Sequence, residues 1–463
     1  MECVTGAVSM HGRKPVQKSI DMEYEQTYYP ITSITGDGPL QFDLEGGVNP
    51  IDPSSIELFM EVQIEKDGIE LTEQGNDVDN VALINNAASS LFSDVIVTIQ
   101  DRQITPANQN YGYLAYLQTL FGPSSDAYNS HLQTSGWYLD TAANFNSIDF
   151  TDKMKNKGGI ARHSLIKKGR HCMLATRLFV NICEQPANLP PHVGMRIKFI
   201  RSPDEFVLMG GPHKREDTDT ATDTGDTGVT HTVTDASAKD ITPYFKLRMR
   251  SAKLLVKRSI LKEVVLSSQI KSLAKEPATY PILHKYVITR IIPEGVTSVQ
   301  LDPIFKGKIP RRCVVGLVSN AAYTGQYHEN PYQFNHENLN KIVFNIDGQQ
   351  YPSSAYEPDF SNVKNYNFLR EYLSVARDLN LDQSVGVPIR YGDYSKGFAL
   401  YGFDLMPFAA CTELAAENRT GTAALHIGFA KPTDKVLTVI IYAEEDAVVK
   451  VNKDLTVTTD LSV

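Results

Sequence analysis

Along this chain, apolar residues recur most often at every second position. Ile56, Leu58, Met60, Val62 and Ile64 alternate with Glu57, Phe59, Glu61 and Gln63. Met195, Ile197 and Phe199 alternate with Arg196 and Lys198, and Phe245, Leu247 and Met249 with Lys246, Arg248 and Arg250. Successive side chains of a strand point to opposite faces, so these runs predict strands with one buried and one wet face. Further strands are predicted near 39–44, 92–104, 172–182, 280–291, 312–319, 341–351, 397–404, 423–430 and 436–443. Helical patterns are confined to two short stretches, near 109–121 and 364–376. Many strands, turns rich in Gly, Pro and Asn, and few helices predict an all-β sandwich or barrel.

The pattern also repeats. Val97-Thr98-Ile99-Gln100-Asp101-Arg102-Gln103-Ile104-Thr105-Pro106 resembles Val343-Phe344-Asn345-Ile346-Asp347-Gly348-Gln349-Gln350-Tyr351-Pro352. A Tyr- and Leu-rich helix follows each, Tyr111 to Phe121 and Tyr366 to Val375. Later, Met195 to Phe199 resembles Leu425 to Phe429, and a basic residue and a proline follow both: Arg201 and Pro203, then Lys431 and Pro432. The order is the same in both halves at an offset of about half the chain, too long for a solenoid repeat. Two domains of one fold are expected, joined near 260–275. Two segments interrupt the framework and read as projecting loops. One is 122–165, with the only tryptophan, Trp137; the other is 213–240, a low-complexity Thr/Asp stretch. The second is too polar to fold alone.

With 463 residues, 42% hydrophobic and 21% charged, the chain can bury a large core without metals or disulfides. A net charge of -9 argues against a protein that coats nucleic acid. The start, Met1-Glu2-Cys3-Val4-Thr5-Gly6, does not read as a secretory leader. The longest apolar stretch, Val436 to Ala443, is far short of the ~20 residues that span a bilayer. Cys3, Cys172, Cys183, Cys313 and Cys411 are odd in number and form no CxxC, so they read as free thiols in a reducing compartment.

Chemistry is sparse. No P-loop, GxSxG, HExxH or dinucleotide fingerprint is present. The acidic run 216–226 lacks the order of an EF-hand and reads as a solvated loop. His328-Glu329 and His336-Glu337 read as surface rather than as metal ligands. Basic residues gather at Arg162, His163, Lys167, Lys168, Arg170 and His171, and at Lys306, Lys308, Arg311 and Arg312. They read as solvated or subunit-facing edges in preference to a nucleic-acid site. Leu44-Glu45-Gly46-Gly47 and Leu208-Met209-Gly210-Gly211 look superficially like maturation-protease sites and read as turns.

The second half resembles the major capsid proteins of Polinton/Maverick elements and the related adintoviruses. The resemblance runs through Phe305-Lys306-Gly307-Lys308-Ile309-Pro310-Arg311-Arg312-Cys313-Val314-Val315-Gly316-Leu317-Val318 and Asn330-Pro331-Tyr332-Gln333-Phe334. It continues in Asp347 to Pro352, Lys396-Gly397-Phe398, Phe403-Asp404-Leu405, Phe429-Ala430-Lys431-Pro432 and Ile441-Tyr442-Ala443-Glu444. Asn85-Asn86, Ser90 to Val95 and Tyr111-Gly112-Tyr113 carry it more loosely through the first half. The resemblance implies a double jelly roll, two eight-stranded β-sandwich domains with short helices and long inserted loops. The expected layout is a flexible N-terminal arm (1–24), a first jelly roll (25–262) holding both insertions, and a second (263–463). It further implies a homotrimeric, pseudo-hexameric capsomer that tiles an icosahedral shell around double-stranded DNA. A penton or minor capsid protein is then an expected partner, and the virion the expected location, after synthesis in the host cytoplasm or nucleus without secretion.

No catalytic, cofactor-binding or metal-binding residue is assigned on this reading, and the chain is not expected to be an enzyme. A glycan-binding or adhesive jelly roll is the alternative, since jelly rolls host that function too. A cupin-like enzyme would need clustered His ligands on adjacent strands, and no HxH with a following Glu occurs. Phe59, Trp137 and Tyr323 to Phe334 are the expected contributors to subunit contacts.

Overall fold

A computed structural model of the chain describes residues 19–34, 38–66, 69–70, 81–106, 110–150, 152, 154–210, 245–361, 367–379, 381, 386–406 and 419–461. The Thr/Asp segment 213–240, the acidic run within it, Cys3 and Cys411 lie outside those residues.

The first half contributes β1 (Ile20–Tyr28), β2 (Leu40–Leu44), β3 (Glu57–Lys66), β4 (Ile69–Glu70), β5 (Val81–Leu83), β6 (Phe92–Ile99), β7 (Arg102–Gln103), β8 (Cys172–Arg177), β9 (Met195–Arg201), β10 (Leu208–Gly210) and β11 (Phe245–Leu261). Its helices are α1 (Ala87–Ser90), α2 (Tyr111–Phe121), α3 (Ser125–Tyr128), α4 (Lys157–Ile166) and α5 (Asp204–Val207). Helix α6 (Glu263–Leu273) connects the halves. The second half contributes β12 (Ala278–Ile292), β13 (Ser298–Lys308), β14 (Arg312–Ser319), β15 (Leu339–Ile346), β16 (Gln349–Tyr356), β17 (Leu400–Asp404), β18 (Thr420–Phe429), β19 (Leu437–Val451) and β20 (Val457–Thr459), with helices α7 (Asn320–Thr324) and α8 (Leu369–Asp378).

Strand order makes the duplication explicit. In the first half the sheets run β1-β11-β3-β8 and β2-β9-β6-β7; in the second they run β12-β19-β14-β17 and β13-β18-β15-β16. Counting the framework strands of each half in chain order, both read first-eighth-third-sixth and second-seventh-fourth-fifth. That is the jelly-roll arrangement, occurring twice. The repeated segments of the sequence occupy equivalent places: β6-β7 answers β15-β16, α2 answers α8, and β9 answers β18. Helix α6 lies between the two sets of strands.

The apolar alternation supplies each interior. Leu58, Met60 and Val62 of β3, with Leu254 beside them on β11, share the interior of the first sandwich with Ile197 and Phe199 of the other sheet. Val315, Leu317, Phe344, Leu425 and Ile441 fill the second. The first seven residues of strand β19, Leu437 to Ala443, are nearly all apolar and all buried because both faces are covered. Val439 and Ile441 point into the second sandwich, whereas Ile440 and Tyr442 join the cluster continuous with the first. Helix α8 lies so close on β17 that a Cβ on Gly402 would stand 2.6 Å from the Ser374 carbonyl oxygen. The Gly402 N–H donates to Ser374 Oγ at 3.0 Å.

Several expectations need correction. Residues 20–24, read as arm, belong to β1, which pairs with β11 from Ile20↔Leu261 to Tyr28↔Leu254. The run 341–351 is a hairpin, broken at Asp347 (φ 47°) and Gly348 (φ 85°), whose left-handed backbone forms the tight two-residue turn. The run 92–104 breaks likewise at Gln100 (φ 52°), and the strand begun at Cys172 ends at Arg177. Segment 122–165 is no projecting loop: it folds as α3, a 3₁₀ turn and α4, and buries Trp137, Phe145, Phe150 and Arg162.

Candidate assembly surface

The two sandwiches meet along a seam built from loops of one and helices of the other. Tyr332, from the segment between α7 and β15, lies flat on Tyr116 of α2, with centroids 4.1 Å apart and planes 5° apart. Tyr113 meets Tyr332 edge-on, and Phe206 does the same. The Tyr323 hydroxyl donates to Asn110 Oδ1 at 2.8 Å, and Phe145 packs edge-on against Phe398. Asn330 Nδ2 donates to Asp140 Oδ2 at 3.2 Å. Farther along, Lys285 Nζ pairs with Glu184 at 2.5 Å, and the Tyr280 hydroxyl donates to the Asn188 carbonyl. The outer face of the β12-β19-β14-β17 sheet is therefore already covered within the chain.

The equivalent face of the first sandwich is largely open. Its β3 row reads Glu57, Phe59, Glu61, Gln63, Glu65, and the β11 row beside it carries Lys246, Arg248, Lys253 and Lys257. Arg248 Nε pairs with Glu65 at 2.8 Å, Arg250 donates to Gln63 Oε1, and His171 Nδ1 lies 2.7 Å from Glu61. The Lys253 ammonium sits 5.8 Å over the Phe59 ring. Met173 on β8 stands 61% exposed in the same grid. Opposite charges on neighbouring strands stabilise a sheet by a few tenths of a kcal/mol per pair, so this face is stable in water without a cover.

The residues singled out from the sequence divide accordingly. Phe59 is partly exposed on the open face. Trp137, Tyr332 and Phe334 are buried inside the chain and unavailable to a neighbouring chain: Tyr332 and Phe334 meet Tyr116 across the seam, whereas Trp137 packs on Tyr116 and Tyr128 within the first half. Alternation marks an aromatic as buried or outward only within a strand, and these three lie in loops. The first basic group splits: Arg162 is fully buried, whereas His171 reaches the open face. In the second, Lys308 Nζ donates to the Asp446 carbonyl and Arg311 lies 4.0 Å from Asp446, so both serve the fold.

The remaining candidates are structural as well. His336 stacks on Phe360 with centroids 4.1 Å apart, and Glu337 pairs with Lys435. Among the described residues, no group of three His, Cys, Asp or Glu side chains is placed to hold a metal. No described helix is long and apolar enough to cross a membrane. Cys172, Cys183 and Cys313 are free and buried, and burial raises the Cys172 thiol to about 11. Gly46 lies two residues past β2, where a Cβ would stand 2.4 Å from the His192 carbonyl oxygen, and Gly210 ends β10.

The seam carries a pH dependence through His284. Asn181 Nδ2 donates to His284 Nδ1 at 2.5 Å, while Asn181 Oδ1 accepts from the Lys285 N–H, which fixes the amide's orientation. The imidazole is thereby held neutral. Burial, with Lys308 nearby and Asp460 partly compensating, lowers its pKa from 6.5 to about 4. Between those values the unfolded chain binds a proton that the folded chain refuses, so stability falls as pH drops from 6.5 toward 4. By linkage the loss is about 3 kcal/mol. His163 and His336, also lowered by burial, act in the same direction. Glu371, Asp378 and Asp404, raised by burial, act oppositely, since their folded forms favour the proton. Urea unfolding from pH 7.5 to 4.5 should show a falling midpoint whose slope flattens in His284→Gln. An equal slope in wild type and variant refutes the assignment.

No protein-family model matches the chain. Among curated proteins, the uncharacterized protein F54H12.2 of Caenorhabditis elegans is 23% identical over 375 residues, 79% of this chain and 79% of that protein. Solved structures superpose over nearly the whole length. A chain of the Sputnik virophage matches with a TM-score of 0.64 at 11% identity, covering 100% of this chain and 93% of that one. A chain of the PBCV-1 virus capsid matches at 0.55 and 11% identity, covering 97% and 99%. The mavirus major capsid protein matches at 0.51 and 10% identity, covering 99% and 93%. At such identities the likeness is one of fold: the double jelly roll derived above from strand order.

Proposed function

We propose that this chain is the major capsid protein of a virus or virus-like element. Its working unit is a homotrimer whose six sandwiches form a pseudo-hexagonal capsomer, and capsomers tile a shell around double-stranded DNA. The observation that carries this reading is the jelly-roll strand order occurring twice in one chain. Its support is the full-length likeness to chains from viral capsids. Two similar units per chain under three-fold symmetry give six similar units, which pack as hexagons do, and closed symmetry reuses one patch without open-ended growth. On this reading the first unit runs to residue 262 and the second from 263, with 20–24 joined to the first. A penton or minor capsid partner, and residence in the virion, belong to the same proposal.

The open face has a definite place in such a ring. Joints inside a chain alternate with joints between chains. Inside the chain, the first-eighth-third-sixth sheet of the second sandwich is covered by the first sandwich. In the neighbouring joint the equivalent sheet, β1-β11-β3-β8, meets the second sandwich of the next chain. Phe59, Leu255 and Met173 supply its apolar contacts, and the Glu and Lys/Arg rows set its register. An obligate contact of this kind buries about 2,000 Å² or more. The mass in solution should be three times 51.4 kDa. Phe59→Glu should shift it toward a folded monomer. A stable monomer of the wild-type chain, with no larger species over a range of salt and concentration, overturns the capsomer.

A further inference from the structure

Helix α6 is unlike the other long helices of the fold. Each of its eleven residues is at least partly exposed, although Leu266, Ile270 and Leu273 form an apolar stripe at the i, i+4, i+7 spacing. Ile270 is 50% exposed. An isolated helix of this length is marginal in water, so the stripe needs a cover. Beside it runs a groove of about 520 Å³, walled by Ile270 and Leu273 on one side and Pro190 and Pro191 on the other, with Tyr280 and Leu455 also lining it.

We propose that this groove is the docking site of the chain's own N-terminal segment, residues 1–18, which lies outside the described residues. Three observations select that occupant. The described chain begins at this place: the Ser19 carbonyl accepts from the Lys262 N–H at 3.1 Å, one residue before α6, and Lys262 Nζ lies 3.6 Å from Asp21. The reach is sufficient. The helix is about 16 Å long at ~1.5 Å per residue, and residues 11–18 extended cover about 26 Å at ~3.3 Å per residue. The chemistry also fits. Arg13, Lys14 and Lys18 lie in the tether, whereas Val4, Ala7, Val8 and Met10 lie in the part that arrives at the groove. A short tether supplies an effective concentration of about a millimolar, so an affinity much weaker than a free complex needs keeps the site filled. The proposal does not rest on the capsid reading.

The test is amide hydrogen exchange across α6 in the full chain and in a chain lacking residues 2–18, with a synthetic peptide of residues 1–18 added back. Deletion should speed exchange in α6 at least tenfold, and saturating peptide should restore the protection. Peptide binding to the shortened chain, read by fluorescence anisotropy, should be lost in Ile270→Asp. Ile270 is half-exposed, so that variant should keep the parent's melting temperature; if it misfolds, Leu273→Ser serves in its place. Unchanged exchange after deletion overturns the proposal. So does protection that rises with protein concentration in the full chain, because a second copy then covers the stripe.

Discussion

Asp140→Ala is expected to lower the stability of this chain by about 3–5 kcal/mol, because it strands a buried cation. Arg162 and Asp140 both have side chains with no solvent exposure, and Arg162 Nη2 lies 2.5 Å from Asp140 Oδ1. The guanidinium also donates to the carbonyls of Leu83 and Tyr138, so every edge of it is engaged. Asp140 in turn accepts from Asn156 Nδ2 at 2.7 Å and from Asn330 Nδ2 at 3.2 Å. The node therefore ties segment 122–165 to β5 and to the second sandwich. Arg162→Lys should also be costly, because an ammonium cannot fill three acceptor directions from one plane. The informative comparison is the double variant Asp140→Leu with Arg162→Met. Removing both charges avoids the stranded ion, so it should be markedly less destabilised than Asp140→Ala. Urea unfolding of these variants, with Asp140→Leu and Arg162→Met each alone, decides the matter. If Asp140→Ala costs under about 1 kcal/mol, or the double variant costs the sum of the singles, the pair does not act as a unit.

This node was not legible in the sequence. Arg162 stood among His163, Lys167 and Lys168 and read as part of a basic edge, and Asp140 read as one polar residue in a loop rich in them. Nothing local marks a charge as buried when its partners come from positions 83, 138, 156 and 330. The strands were legible wherever one face is apolar and the other wet, as in β3, β9 and β11, because the pleat imprints a period of two. Two edge strands escaped for a related reason. Strand β1 is largely exposed, and its Glu23, Glu25 and Gln26 give no apolar period. Strand β13 contains Pro303 and Gly307 and shifts register between Leu301 and Phe305, which is tolerable at an edge and erases the alternation. The duplication was legible because equivalent strands keep equivalent turns. The open charged face was also in plain view as the basic row of β11, although only the pairing with β3 shows that its partners are the glutamates.

Tyr332→Ala is expected to cost about 3–5 kcal/mol, the range for removing a large buried aromatic, and to uncouple the two sandwiches. The ring is fully buried and stacks on Tyr116, with Tyr113 and Phe206 at its edges, so truncation leaves a void between elements from different halves. Its hydroxyl has a fixed role. Ser90 Oγ donates to the Asn85 carbonyl at 2.9 Å, so the 2.5 Å contact between Tyr332 and Ser90 has the tyrosine donating. Tyr332→Phe keeps the stack and leaves Ser90 with its own acceptor, so it should cost only about 0.5–1.5 kcal/mol. The two variants separate packing from hydrogen bonding at one position. Calorimetry reads the uncoupling, since a chain whose halves share one core should melt in a single transition and the alanine variant in two. On the proposed capsomer reading the loss also bears on assembly. The angle between the sandwiches is held by this stack, and a ring of six closes only if that angle is the same in every chain. The alanine variant should therefore yield less trimer than the phenylalanine variant at equal folded concentration. A single transition in Tyr332→Ala, with trimer yield unchanged, would mean that the polar contacts around His284 and Asp140 hold the seam without the aromatic stack.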